Sequence, residues 1–204
     1  MARKHPARQR RTGQPAICAL ELTPPRMTPP THILVGTIGR VFWMRVDGRG
    51  TFQNSLQAKK ALHRVVSQGM RNLVVDLERC PMMDSTFLGM LTGAALNLRE
   101  SGGGSLSVVN ANQRNVQLLT SLGLDHILEL DRDGKLWEAE RKQVCDALLH
   151  CGETTAECKE VQTQHVLSAH QALADVSDAN ESRFHDVIEF LEKELEAGTS
   201  AVPA

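Results

Sequence analysis

Residues 73–91 read LVVDLERCPMMDSTFLGML, and this stretch decides the fold. It begins with a nearly continuous apolar run at residues 73–77, which is typical of a strand buried at the centre of a sheet. The apolar spacing from residue 85 to residue 99 then predicts a helix. The polar pair Asp84 and Ser85 therefore lies where a strand passes into a helix N-terminus. Such a position exposes a hydroxyl and tolerates added negative charge.

The flanking sequence alternates strand-like and helix-like segments. Predicted strands lie at residues 33–38, 41–46, 105–109 and 127–130, and predicted helices at residues 54–68 and from Asn110 or Asn112 to residue 122. Strands alternating with helices through short loops predict an α/β fold, a mixed β-sheet with helices packed against it. The first two strands, joined by a tight turn at Gly39 and Arg40, should form the antiparallel pair of that sheet.

The chain changes character after residue 131. Residues 132–204 predict a helical C-terminal extension, with helices at residues 137–151, 154–173 and 182–196 and a linker at residues 175–180. This extension is too polar for a large core of its own. We expect it to pack on the sheet domain or on another chain.

The N-terminal segment predicts an arm without regular structure. Residues 1–31 contain six basic residues against one acidic residue, and six of the eight prolines. A transient anionic partner for this basic arm is an alternative, and translation from Met27 would remove most of it. Aromatic residues make up only 3% of the chain, which argues against a nucleic-acid surface that stacks bases.

The lack of a recognisable targeting signal and the cysteine pattern predict a cytoplasmic protein. No apolar run reaches the roughly 18 residues of a membrane span, and the apolar stretch after the first basic residues is too short and interrupted for a secretory signal. The five cysteines include no CxxC pair, which predicts reduced thiols. Cys151, Cys158 and His165 recur at intervals of seven, and a buried seam of soft residues is a better interpretation than a metal site. No cofactor is predicted.

Residues 32–131 resemble the STAS domain of bacterial anti-sigma-factor antagonists. The resemblance is anchored by the strand at residues 73–77 and the turn that follows it, Met83-Asp84-Ser85-Thr86-Phe87-Leu88-Gly89, which is similar to the family's Met-Asp-Ser-(Ser/Thr)-Gly-Leu-Gly. Residues 103–111 resemble the family's fourth strand, and residues 115–124 its next helix and Gly-Leu turn.

The resemblance implies a phosphorylation switch rather than an enzyme. The matching phosphorylated residue is Ser85, with Thr86 as a second acceptor, and the implied binding surface comprises Asp84, Ser85, Thr86, Phe87 and Met90. The implied partner is an anti-sigma factor that is also a serine kinase. It would bind the unphosphorylated form, and a serine phosphatase would restore that form. A hydrolase is disfavoured because there is no G-x-S-x-G elbow and no motif places a histidine near Ser85.

Phe87 departs from the family, which has glycine there. Phe87 could obstruct a kinase, anchor a different partner, or point into the core. Two other functions stay open, a small-ligand or nucleotide-sensing module and a scaffold that is never phosphorylated. The C-terminal helices could add partner specificity, self-association or a lid.

Overall fold

A computed structural model describes residues 31–144, 148–152 and 157–199. The sheet domain runs β1 (His32–Ile38), β2 (Val41–Asp47), α1 (Phe52–Ser67), β3 (Asn72–Asp76), α2 (Ser85–Glu100), β4 (Ser105–Val109), α3 (Gln113–Ser121), a 3-10 turn (Leu124–His126) and β5 (Glu129–Leu130). It is followed by α4 (Glu138–Arg141), β6 (Leu149–His150), α5 (Lys159–Ala174) and α6 (Asp178–Thr199). The predicted basic arm lies outside the described residues, apart from Thr31.

The six strands form one mixed sheet in the order β5-β4-β3-β2-β1-β6. Strand β1 pairs antiparallel with β2 on one side and with β6 on the other, whereas β2, β3, β4 and β5 are parallel neighbours. The predicted mixed sheet with packed helices and a helical C-terminal extension is therefore confirmed. Parallel order brings the carboxyl ends of β2, β3 and β4 to one edge, beside the start of α2.

Side chains that alternate along the strands supply two separate cores. Phe42, Met44 and Val75 face α1, α2 and α3, whereas Trp43 and Val74 face the opposite side. On that opposite side the layer is completed by four side chains from beyond the last parallel strand, Leu136, Trp137, Val144 and Leu148. Because aromatic residues are few, both cores are mainly aliphatic.

The helix predicted at residues 137–151 is wrong. Among the described residues of this range, the α-helix covers only Glu138–Arg141, and Leu149 and His150 instead pair with Val35 and Leu34 of β1. The outer edge of β1 offers unpaired backbone groups, and pairing with β6 satisfies some of them. The start of this segment is shaped by Asp131, whose Oδ1 accepts hydrogen bonds from the backbone N–H groups of residues 134–136. Tertiary contacts thus override the local helical pattern.

The last two helices form an antiparallel-type hairpin, here called the α5–α6 hairpin (residues 159–199), which packs on α2. Helix α5 begins at Lys159 rather than near residue 154, and α6 begins at Asp178, so the linker is shorter than predicted. Asn180, buried at the start of α6, donates to the carbonyls of Leu173 and Leu122 at 3.0 Å each. These bonds tie the hairpin turn to the end of α3.

Candidate functional site at the start of α2

Asp84 joins the beginnings of two helices. It is the N-cap of α2, where its Oδ1 accepts the N–H of Phe87 at 2.9 Å, and its Oδ2 accepts the N–H of Phe52 in α1 at 2.8 Å. Its own backbone N–H donates to the carbonyl of Gly50 at 2.9 Å. Both carboxylate oxygens therefore satisfy N–H groups that a helix start leaves unpaired. The role of Asp84 visible in the fold is to hold the turn in which Ser85 lies.

Ser85 is the first residue of α2 and is half-buried beneath α5. Its Oγ lies 3.0 Å from Nε2 of His170, and Nδ1 of the same ring lies 2.8 Å from the carbonyl oxygen of Val166. A carbonyl oxygen can only accept, so Nδ1 carries the ring proton in the neutral imidazole. Nε2 is then an acceptor, and the Ser85 hydroxyl donates to it.

The remaining residues of the expected binding surface are buried. Phe87 is 0% exposed, and a Cβ added to Gly50 would lie 2.9 Å from its ring. Of the three possibilities for Phe87, the structure therefore shows the third, a side chain that points into the core. Thr86 and Met90 are also buried. Only Asp84 and Ser85 of the five keep a partly exposed surface.

The pair of Ser85 and His170 has the makings of a nucleophile and a base, but its setting argues against hydrolysis. The third group, which orients the ring, is the backbone carbonyl of Val166 rather than a carboxylate. Ser85 does not line the cavity of about 260 Å³ that lies where α1, α2 and α5 meet.

A buried polar cluster supports the strand ends behind this turn. Asp76 is 0% exposed and accepts from Nε1 of Trp43 at 3.2 Å, from Nε and Nη2 of Arg45 at 2.8 Å each, and from Nδ2 of Asn110 at 2.9 Å. Asn110 has the left-handed φ of 56° and accepts in turn from Arg141 at 2.7 Å. The cluster joins β2, β3 and β4 to the segment after β5.

The described cysteines are Cys80, Cys151 and Cys158. Among the described residues, no three histidine, cysteine or acidic side chains are grouped to hold an ion. The predicted seam is wrong, because Cys158 is exposed ahead of α5 whereas His165 is buried against α1. Burial raises the pKa of the Cys80 thiol, which keeps it protonated and unreactive.

Sequence reasoning found Asp84 and Ser85 but missed His170, which is 85 residues away along the chain. A partial signal exists in the glycines of α2. Gly89 and Gly93 are one turn apart, and a helix face lined by glycine lets another helix approach closely. No comparable signal shows which residue of α5 would reach Ser85.

The fold and site define a small mixed-sheet domain whose candidate site consists of polar residues at the N-terminus of a helix. A helical hairpin is added to this domain. The chain belongs to the STAS domain family, whose model matches residues 32–139. No match was found among the curated proteins. No helix within the described ranges is long and apolar enough to cross a membrane.

Several solved structures are similar to part of this chain. SpoIIAA, an anti-sigma factor antagonist in its unphosphorylated form, is 16% identical over 55% of this chain and 98% of its own, with a TM-score of 0.44. An anti-sigma factor antagonist from Mycobacterium paratuberculosis is 20% identical over 55% of this chain and 93% of its own, with a TM-score of 0.46. The Thermotoga maritima protein TM1081 is 20% identical over 57% and 94%, with a TM-score of 0.46.

Proposed function

We propose that this chain is a phosphorylation-switched protein-binding regulator, an anti-sigma-factor antagonist that acts by binding rather than by catalysis. It would work in the bacterial cytoplasm and bind a kinase-type anti-sigma factor while Ser85 is unmodified. A serine phosphatase would reverse the modification. The observation that carries the proposal is the position of Ser85, the first residue of α2 in a STAS domain, directly after the N-cap Asp84.

This position suits a switch on electrostatic grounds. A phosphate adds about −1.5 to −2 charges near neutral pH, and the N-terminus of a helix favours negative charge. The sheet domain should therefore stay folded when Ser85 is modified. A partner that fits the neutral hydroxyl beside the Asp84 carboxylate would meet a much more negative surface after modification. Binding can thus be lost while the fold is kept.

The buried members of the expected surface need a different role. Thr86, Phe87 and Met90 would support the turn from the core side. Thr86 would accept a phosphate only if the start of α2 rearranged. Asp84 and Ser85 would then make the direct contacts with the partner. This division assigns recognition to the exposed edge of the turn rather than to the apolar face of α2.

The test is phosphorylation with serine kinases of the anti-sigma type from the same genome. The protein is incubated with ATP and each kinase, and modified residues are mapped by mass spectrometry. Modification of Ser85, its absence in Ser85→Ala, and weaker kinase binding by Ser85→Asp are expected. Ser182→Asp, which places the same charge on an exposed serine of α6, should bind normally. A kinase that binds the domain yet leaves Ser85 and Thr86 unmodified would favour the scaffold function instead.

A ligand-sensing function is favoured by one separate observation. A cavity of about 260 Å³ lies where α1, α2 and α5 meet, lined largely by apolar groups that include Leu62, Val66 and Met90. Such a lining suits a small apolar molecule better than the phosphates of a nucleotide. Raised thermal stability with ATP or GTP would contradict that preference and support a nucleotide module.

A further inference from the structure

Helix α5 lies directly on the N-terminal half of α2. A Cβ built on Gly89 would overlap the backbone carbonyl of Ala169, so the two helix backbones touch at this point. One turn further along, a Cβ on Gly93 would lie 3.7 Å from the Cβ of Ala172, an ordinary contact. The α5–α6 hairpin therefore occupies the face of α2 that begins at Ser85.

At the start of α2 the hairpin covers the switch hydroxyl itself. Nε2 of His170 accepts the hydrogen bond of Ser85, and the ring is held from behind by an edge-on contact with Phe184 of α6, 5.6 Å between centroids. A kinase must bring a phosphoryl group in line with the attacking oxygen, and it needs room around that oxygen to do so. In the closed arrangement, His170 occupies part of this room.

The interface that holds the hairpin on the sheet domain lacks one hydrogen bond and contains a cavity. His165 is 5% exposed, and its Nε2 lies 2.8 Å from Ser55 Oγ, whose own proton is donated to the carbonyl of Phe52 at 3.0 Å. Nε2 is therefore the donor, and Nδ1 is a buried acceptor that has no hydrogen-bond partner among the described residues. The cavity of about 260 Å³ beside it is a second defect in the same interface. Both defects make undocking less costly than opening a fully packed core.

We propose that the α5–α6 hairpin is a releasable cover over Ser85, and that kinase access to Ser85 and docking of α5 on α2 exclude each other. This inference rests on the proposed function and adds the regulation of its site. In the closed form a kinase cannot reach the unmodified Ser85, and in the open form it can. The closed form has only 3.0 Å between Ser85 Oγ and His170 Nε2, which leaves no space for a phosphoryl group on that oxygen. A modified Ser85 would therefore hold the hairpin away from the start of α2.

A disulfide between α2 and α5 tests this directly. The variant Gly93→Cys/Ala172→Cys places two Cβ atoms at a separation of 3.7 Å, within the range of about 3.5–4.5 Å that disulfides require. The native Cys18, Cys145, Cys151 and Cys158 are replaced by serine, and the buried Cys80 is kept. The oxidised form holds the cover closed, and the reduced form of the same variant is its matched control.

The first measurement needs no kinase. Hydrogen exchange, read by mass spectrometry on peptides from α2 and α5, should show the hairpin opening below the free energy of global unfolding in the reduced form. Oxidation should suppress that opening. If the amides of α5 in the reduced form exchange only through global unfolding, the cover is overturned, whether or not a kinase modifies Ser85.

The second measurement compares phosphorylation of Ser85 in the two forms. Loss of phosphorylation on oxidation and its recovery on reduction are expected, and His170→Ala should be modified faster than the control His185→Ala, a change at an exposed position of α6. Equal rates in both redox forms would overturn the cover and leave the proposed function standing. If neither form is modified by a kinase that binds, the proposed function fails, and the exchange experiment alone decides whether the hairpin opens.

Discussion

Gly89 of α2 lies against the backbone carbonyl of Ala169 in α5, so close that no Cβ fits between them. We predict that Gly89→Ala pushes the two helices apart. Overpacking of this kind costs about 1–3 kcal/mol, whereas alanine in a helix is intrinsically better than glycine by about 1 kcal/mol. The net loss should be seen in chemical denaturation and in faster hydrogen exchange of α5.

Gly93→Ala is the matched control for this contact. Its Cβ would meet the Cβ of Ala172 at 3.7 Å, an ordinary separation, so the helix-propensity gain of about 1 kcal/mol should remain. Equal effects of the two substitutions would contradict the close helix crossing.

Asp84→Ala should lower the unfolding free energy of the sheet domain by more than the loss of a single helix cap does. The carboxylate satisfies the N–H of Phe87 at the start of α2 and that of Phe52 in α1. Loss of one N-cap costs about 0.5–2 kcal/mol, and the second bond adds to this. Urea denaturation should therefore place Asp84→Ala below Asp84→Ser, which can keep the cap of α2 but is too short to reach both groups. Identical midpoints for the two variants would argue against the bridging role.

Arg45→Met should be among the most destabilising single changes in the sheet. It would leave the fully buried carboxylate of Asp76 without its guanidinium partner, and removing one member of a buried pair costs about 3–5 kcal/mol. The exposed pair of Arg79 and Asp47 is the control, since loss of a surface ion pair costs about 0–1 kcal/mol. Thermal denaturation followed by the fluorescence of Trp43 and Trp137 measures both. A loss below about 1 kcal/mol for Arg45→Met would show that the cluster adds little.

Acid should weaken the protein through His165. Burial of this α5 side chain against α1, helped by the charge of Lys59, lowers the pKa of the ring to about 4 from its usual value near 6.5. Between these values the unfolded chain binds a proton that the folded chain does not. The stabilisation is therefore complete above about pH 6.5 and is lost as the pH falls toward about 4, by about 1–2 kcal/mol near pH 5.

The measurement is the change in unfolding free energy between about pH 7.5 and pH 5. His165→Gln should show a smaller change than the parent chain, because it lacks this titrating group. His185→Gln, at an exposed position of α6, should keep the change of the parent chain. A pH dependence unaltered by His165→Gln would contradict the depressed pKa.

The central architecture was predictable from residues 33–131 because its signals are local. The continuous apolar run at residues 73–77 requires a buried strand, and the capping preference of Asp84 requires a helix start after it. The turn at Gly39 and the cap at Asn112 are equally local, and both occur where the sequence predicts them. Periods of two and 3.6 residues can be read from one chain segment without knowledge of its neighbours.

The predictions that failed depended on contacts between distant segments. Residues 137–151 have a helical pattern, yet Leu149 and His150 pair with the free edge of β1, and Arg141 donates a hydrogen bond to Asn110. The inward position of Phe87 likewise follows from the space that Gly50 leaves across the turn. The hydrogen bond between Ser85 and His170 joins residues 85 positions apart. The sequence therefore determined the strand, the turn and the start of α2, whereas the covering of Ser85 arose from helix packing, which no local pattern encodes.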